Sequence, residues 1–255
     1  MTTCIVFMCN YAYFEKFIKS CQQLIEVGKY SGPICLVITD DLVGKDCLKN
    51  PLLIERNIII KHFSDFVYPN DHIDTIQKIR PQWKFALSFI HLHKFNIFNV
   101  FFKQWDYILY IDTGSGFFSD IQPLLDTKRP GIYLAHSNAY PSYKITLKDE
   151  FANVSPYIEK LINTYGDLDV DYPQATMALF DTSLITESTV DDLFKLAIEY
   201  PNALQNDQTI IALYFVIIRK VWKQIPIGND TGLYYDWAPR WGHPNSNYIV
   251  IKYPK

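Results

Sequence analysis

No apolar run in the chain approaches the roughly 18 residues that a membrane-crossing helix needs. The first residues, Met1-Thr2-Thr3-Cys4-Ile5-Val6-Phe7-Met8, carry no basic segment ahead of a long apolar stretch, so no secretory leader is expected and the cytoplasm is the expected compartment. Charge of one sign is also missing. Lys and Arg number 24 against 27 Asp and Glu, for a formal net charge of −3, which gives no basic field for a nucleic acid. Cysteine is scarce and unpaired in pattern. Cys4, Cys9, Cys21, Cys35 and Cys47 lie within the first fifth of the chain and form no Cys-x-x-Cys, which excludes a zinc ribbon or a disulfide framework and leaves reduced core thiols. The dinucleotide fingerprint Gly-x-Gly-x-x-Gly, the Walker loop and the Gly-x-Ser-x-Gly elbow are all absent.

What is present is material for a core. Hydrophobic residues make up 49% of the 255 and aromatics 16%, so disorder is excluded as the main state. Cys4–Cys9, Ile34–Thr39 and Asn57–Lys61 read as short buried strands. Between the first two, Phe14, Phe17, Ile18, Cys21, Leu24 and Ile25 fall on one helical stripe that Gly28, Gly32 and Pro33 terminate. Continuous rather than alternating apolar strands are covered on both faces, which predicts a mostly parallel central sheet flanked by helices, an α/β fold. Trp83–Trp105 reads as one or two buried helices. Tyr107–Ile111, Gly131–His136, Thr176–Phe180 and Tyr248–Lys252 read as further strands, and Asp191–Glu199 and Asp207–Arg219 as helices. With no repeat or linker, one domain over 1–255 is expected.

The strand Tyr107–Ile111 ends at Asp112-Thr113-Gly114-Ser115-Gly116. Ligands of open α/β sheets sit outside the carboxyl ends of strands. A carboxylate there can hold a metal or a ribose, while a glycine lets backbone approach a phosphate; a plain turn is the other reading. Asp167-Leu168-Asp169-Val170-Asp171 is a rival metal site or an acidic loop. His91 and His93, two apart on a helix, face different ways and cannot chelate together.

Taken with Lys94-Phe95 before it and Ser119-Asp120-Ile121-Gln122-Pro123-Leu124 after it, Asp106–Asp112 resembles the core of the glycogenin-like retaining glycosyltransferases, glycosyltransferase family 8, which have the GT-A fold. Asn10-Tyr11-Ala12-Tyr13, Gln174–Phe180 and Asn206–Ile211 resemble the family's other motifs in the same order, over about residues 4–215. The resemblance implies a GT-A nucleotide-diphospho-sugar transferase moving a hexose, glucose first, from a UDP-sugar to a glycan or protein acceptor with retention. It implies uridine contacts from Asn10 and Tyr13, with Tyr11 as the alternative ring. Lys94, with Lys84 competing, would bind the donor's phosphate or sugar, and Asp112 the metal or ribose. Gln174 would hold the sugar. Asp207, with Gln208 beside it, would lie near the anomeric carbon.

Two places depart from the family pattern. Its second metal-binding Asp is Gly114 here, and its late metal-binding His is Lys252, with His243 as a possible substitute ligand. The donor's diphosphate would then meet either Mn²⁺ or Mg²⁺ on Asp112 and His243, or the ammonium groups of Lys252 and Lys94. Tyr234, Tyr235, Trp237, Arg240 and Trp241 are expected near the acceptor, with ordinary core as their other role. Alternatives are a catalytically silent GT-A-like protein that binds a nucleotide sugar or glycan, an inverting GT-A enzyme, which needs a base for the acceptor, and a nucleotidyltransferase.

Overall fold

The computed structural model describes residues 1–79, 91–138, 145–151, 156–201, 206–229, 232–237 and 247–253. Seven strands form the central sheet: β1 (Thr3–Cys9), β2 (Ile34–Ile38), β3 (Ile59–His62), β4 (Tyr107–Ile111), β6 (Tyr133–Ser137), β7 (Pro173–Asp181) and β8 (Trp222–Gln224), in the order β3-β2-β1-β4-β7-β6-β8. The β3-β2-β1-β4 half is parallel throughout, β7 runs antiparallel to both β4 and β6, and β8 returns parallel to β6. The sheet is therefore mostly parallel, as the apolar strands predict. A smaller sheet, β5-β11-β10-β9, was not foreseen beyond its strand β11 (Tyr248–Lys252). It adds β5 (Ser115–Phe117), β9 (Gly228–Asn229) and β10 (Gly232–Trp237).

The continuous apolar strands bury side chains on both faces. Cys4, Val6, Ile108 and Tyr110 enter one core with Phe95, Phe98 and Ile211. Their neighbours Ile5, Phe7, Leu109 and Ile111 enter the other, against Phe14, Phe17, Cys21 and Leu24 of helix Phe14–Glu26. The predicted helical stripe is thus the face that packs. Four of the cysteines are buried thiols, and burial pushes the Cys9 thiol up to about 12, away from reactivity.

Three expectations need correction. The third strand, Ile59–His62, alternates half-buried and exposed rather than being buried on both faces, and it sits at the sheet edge, with no strand beyond it among the described residues. Within Trp83–Trp105, residues 83–90 lie outside the described residues. His93–Phe98 and Val100–Gln104 are 3₁₀ turns rather than α-helix, with Asn99 between them accepting from the Phe101 amide at 2.9 Å. The helix expected over Asp207–Arg219 is α only over Asn206–Ala212 and widens to a π-helix over Leu213–Ile218. Among the described residues, no helix is long and apolar enough to cross a membrane.

Candidate functional site

A cleft opens at the carboxyl ends of β1 and β4, where the parallel half of the sheet releases its chains. Its lining comes from five places: Met8–Asn10 with Tyr13, the turn carrying His91 and Lys94, Tyr110 with Asp112 and Thr113, Asp207 and Lys252. The cleft holds about 140 Å³.

Lys94 organises the floor. Its side chain is buried, and its ammonium lies 2.7 Å from Asp207 Oδ2 and 3.2 Å from Asp112 Oδ1, and donates to the Ala175 carbonyl oxygen at 3.0 Å. These partners use all three ammonium hydrogens. Tyr110 lies two residues before Asp112 on the same face of β4, and its hydroxyl donates to Asp112 Oδ1 at 2.6 Å. Asp207, 4% exposed, begins the first turn of helix Asn206–Ala212, and its other oxygen, Oδ1, lies 3.5 Å from His91 Nδ1. His91 is half exposed, so the string Asp112–Lys94–Asp207–His91 runs from the sheet edge to solvent.

Burial alone would push the Asp207 carboxyl up; Lys94 on one side and His91 on the other outweigh it and hold it at about 2. Burial alone would favour a neutral Lys94, but Asp112 and Asp207 outweigh it and raise its pKa above the ordinary lysine value. The sign follows from these directions. The share due to Asp207 is fully present above the ordinary aspartate value of about 3.9 and is lost as pH falls through the lowered one. The share due to Lys94 is fully present below the ordinary lysine value of about 10.4 and is lost as pH rises through the raised one. The stability difference between wild type and Asp207→Asn, read from urea midpoints, is therefore expected to stay flat from about pH 5 to 10 and to shrink below about pH 4. A difference that decays between neutral pH and pH 5 would contradict this charge assignment.

The turn after Asp112 is built by hydrogen bonds rather than left open. The Thr113 hydroxyl donates to the Met8 carbonyl at 2.7 Å, joining the ends of β1 and β4. Gly114 has φ +83°, the left-handed region that favours glycine, and its N–H donates to Ser20 Oγ at 3.1 Å. That amide is therefore already used, and the phosphate contact expected of it would have to displace Ser20. Strand β11 pairs antiparallel with β5 so that Lys252 stands opposite Ser115. This register brings the Lys252 ammonium to the Thr113 carbonyl, to which it donates, and within 3.6 Å of where a Gly114 Cβ would lie. The Lys16 side chain approaches the same point at 3.7 Å.

The expected residues divide. Asn10, Tyr13, Lys94, Asp112, Asp207 and Lys252 come together around the cleft from separate parts of the sequence. Asn10 is 8% exposed, and its buried Oδ1 accepts no hydrogen bond among the described residues. Tyr11 is exposed and outside the lining; its N–H donates to Asp41, and Lys45 lies 5.5 Å from its ring centre. Gln174 and Gln208 are buried and do not line the cleft either. Gln208 Oε1 accepts from the Ala175 amide at 3.2 Å, so it braces β7 beside the site. Tyr234 and Tyr235 are core residues, as their alternative role had it. Asp169 lines a separate groove with Thr146, Lys148 and Asp149, while Asp167 accepts the Asp169 amide, as an acidic turn does. Lys84, Arg240, Trp241 and His243 lie outside the described residues.

Sequence reasoning passed over His91. It treated His91 and His93 as a failed pair, and they do face apart, His93 being buried against Asp65 at 3.3 Å. The useful signal was the spacing of His91 and Lys94, three residues and so about one turn apart.

The described residues do not fit a resident divalent ion. Asp112 is taken by an ammonium and a hydroxyl, Gly114 brings no side chain, and the nearest side chains there are Lys252 and Lys16. Among the described residues no three His, Cys, Asp or Glu side chains are placed to hold a metal.

Together, fold and site define an α/β protein with a charged cleft at the carboxyl edge of a mostly parallel sheet. No family model matches the chain, and no curated protein matches it.

Proposed function

We propose that the chain is a GT-A-like hexosyltransferase that takes a hexose, glucose first, from a UDP-sugar to a hydroxyl of a glycan or glycoprotein acceptor. One observation carries the reading: Asn10, Tyr13, Lys94, Asp112 and Asp207, which the resemblance expects at the donor, share one cleft with Lys252 although they come from separate parts of the chain. Asn10 Oδ1, which has no partner among the described residues, is an acceptor suited to the N3–H of a uracil, and the Tyr13 ring offers a stacking face. The cleft's 140 Å³ is below the roughly 300–1,000 Å³ of ordinary ligand pockets, so a nucleotide sugar would extend out of it.

Negative charge developing on the departing diphosphate needs a cation in place beforehand. Lys252, fixed on the Thr113 carbonyl, supplies it in this reading, with Lys16 beside it. Lys94 keeps Asp207 ionised and holds Asp112 and Asp207 in position rather than gripping the phosphate itself.

A thermal-shift panel of nucleotide sugars, with and without Mn²⁺ or Mg²⁺, followed by assay of UDP release, tests this. UDP-glucose should raise the melting temperature, and a chelator should leave the rate of UDP release within about twofold, since lysines stand where the metal would act. Binding of UDP with no release from any sugar donor would favour the silent reading, which the closed Asp112–Lys94–Asp207 ion pairs also suit.

A further inference from the structure

We propose that His91 is the general base that deprotonates the acceptor hydroxyl, and that transfer therefore inverts the anomeric centre. The inference rests on the hexosyltransferase reading above. It starts from what Asp207 can no longer do. Its carboxylate is buried, one oxygen is held by the Lys94 ammonium at 2.7 Å, and its affinity for protons is low. A carboxylate so neutralised is a poor nucleophile toward the anomeric carbon and a poor base. Its second oxygen, however, faces His91 Nδ1 at 3.5 Å, which suits a carboxylate that fixes the imidazole tautomer and leaves Nε2 to accept a proton. Separations of this size tighten when substrate is bound.

Position within the cleft supports the same role. Of the other titratable side chains around the floor, Tyr110 and Lys94 are committed to Asp112, and Lys94 also to Asp207. Burial moreover holds the Tyr110 hydroxyl well above the usual tyrosine value. Tyr13 is given to the base in the proposed function, and Lys252 to the diphosphate. His91 is half exposed at the mouth, where an acceptor arrives. Both His91 and Lys252 line the cleft, and inversion asks that the acceptor enter on the His91 side while the diphosphate leaves toward Lys252.

In the step itself, the acceptor hydroxyl gives its proton to His91 Nε2 as its oxygen bonds to C1. The C1–O bond to the β-phosphate breaks, and its electron pair leaves with UDP toward Lys252. The imidazolium faces the Asp207 carboxylate until water takes the proton. An α-linked donor yields a β-linked product, UDP and one proton.

The test uses the full chain with UDP-glucose in dilute methanol, whose methyl glucoside keeps its anomer for NMR. Wild type should give the methyl β-glucoside. His91→Gln should lose about 10²–10⁴-fold in rate with UDP affinity unchanged. Added imidazole should restore part of the rate of His91→Ala, a response that a purely structural role would not show. The methyl α-glucoside, a His91→Gln rate near wild type, or a loss that imidazole leaves untouched would overturn the base assignment while hexosyl transfer stands. If wild type releases UDP from no sugar donor, the proposed function falls and this inference with it.

Discussion

Replacing Lys94 by methionine is expected to cost about 3–5 kcal/mol of folding stability, because it leaves a buried carboxylate without its counter-charge. Asp207 is 4% exposed and has only the more distant His91 on its other oxygen, while Asp112 keeps the Tyr110 hydroxyl and more water. The penalty therefore falls mainly on Asp207. Its pH signature should be reversed relative to wild type. With Lys94 gone, burial raises the Asp207 pKa above its unfolded value. The variant then regains stability as pH falls and loses it as pH rises through the raised value. The pair Lys94→Met with Asp207→Leu should recover most of the loss, since an apolar replacement of both partners removes the unpaired charge. Urea midpoints for the three proteins decide it. A Lys94→Met loss below about 1 kcal/mol would place the three groups in a wetter, weaker contact than their separations imply.

The second large effect is on turnover. Asp207→Asn keeps the shape but removes the charge that holds both Lys94 and His91. On the hexosyltransferase reading proposed above, UDP-sugar turnover is expected to fall by about 10²–10⁴-fold, the range for a disabled acid–base partner, while UDP affinity changes by less than about threefold. Steady-state rates and a UDP titration on the same preparation separate the two. An unchanged rate would remove Asp207 from the reaction; equal losses in binding and rate would make it a donor-binding group instead.

Much of this was legible from residue patterns, for physical reasons. Strand β4 was read with its observed bounds, because five apolar residues closed by Asp-Thr-Gly leave little choice about where pairing ends. Strand β2 was also plain, being buried at every position. Long-range geometry was less visible. Lys94 looked like a hand for the donor, yet its three hydrogens meet Asp112, Asp207 and Ala175, residues up to 113 positions away that no local window contains. Gln174 looked like a sugar contact, but its strand buries it beside the cleft. Tyr11 and Tyr13 are chemically equivalent as text; the 3₁₀ turn Tyr11–Tyr13 exposes one ring and turns the other to the cleft. The antiparallel setting of β7 was hidden too, since burial on both faces makes a strand apolar whichever way it runs.

The pairing of β11 with β5 has a consequence for how the molecule is made. The Lys252 ammonium meets the Thr113 carbonyl across 139 positions of chain. A nascent polypeptide leaving the ribosome can thus pair β1, β2, β3 and β4 well before the cation that completes the cleft has been synthesised. Until β11 docks, the carboxylate-bearing half of the cleft carries no lysine from that strand to attract an anion. Release of the chain before β11 is made would yield a sheet that begins to assemble yet lacks that charge, so anion capture becomes a report on the docking of β11.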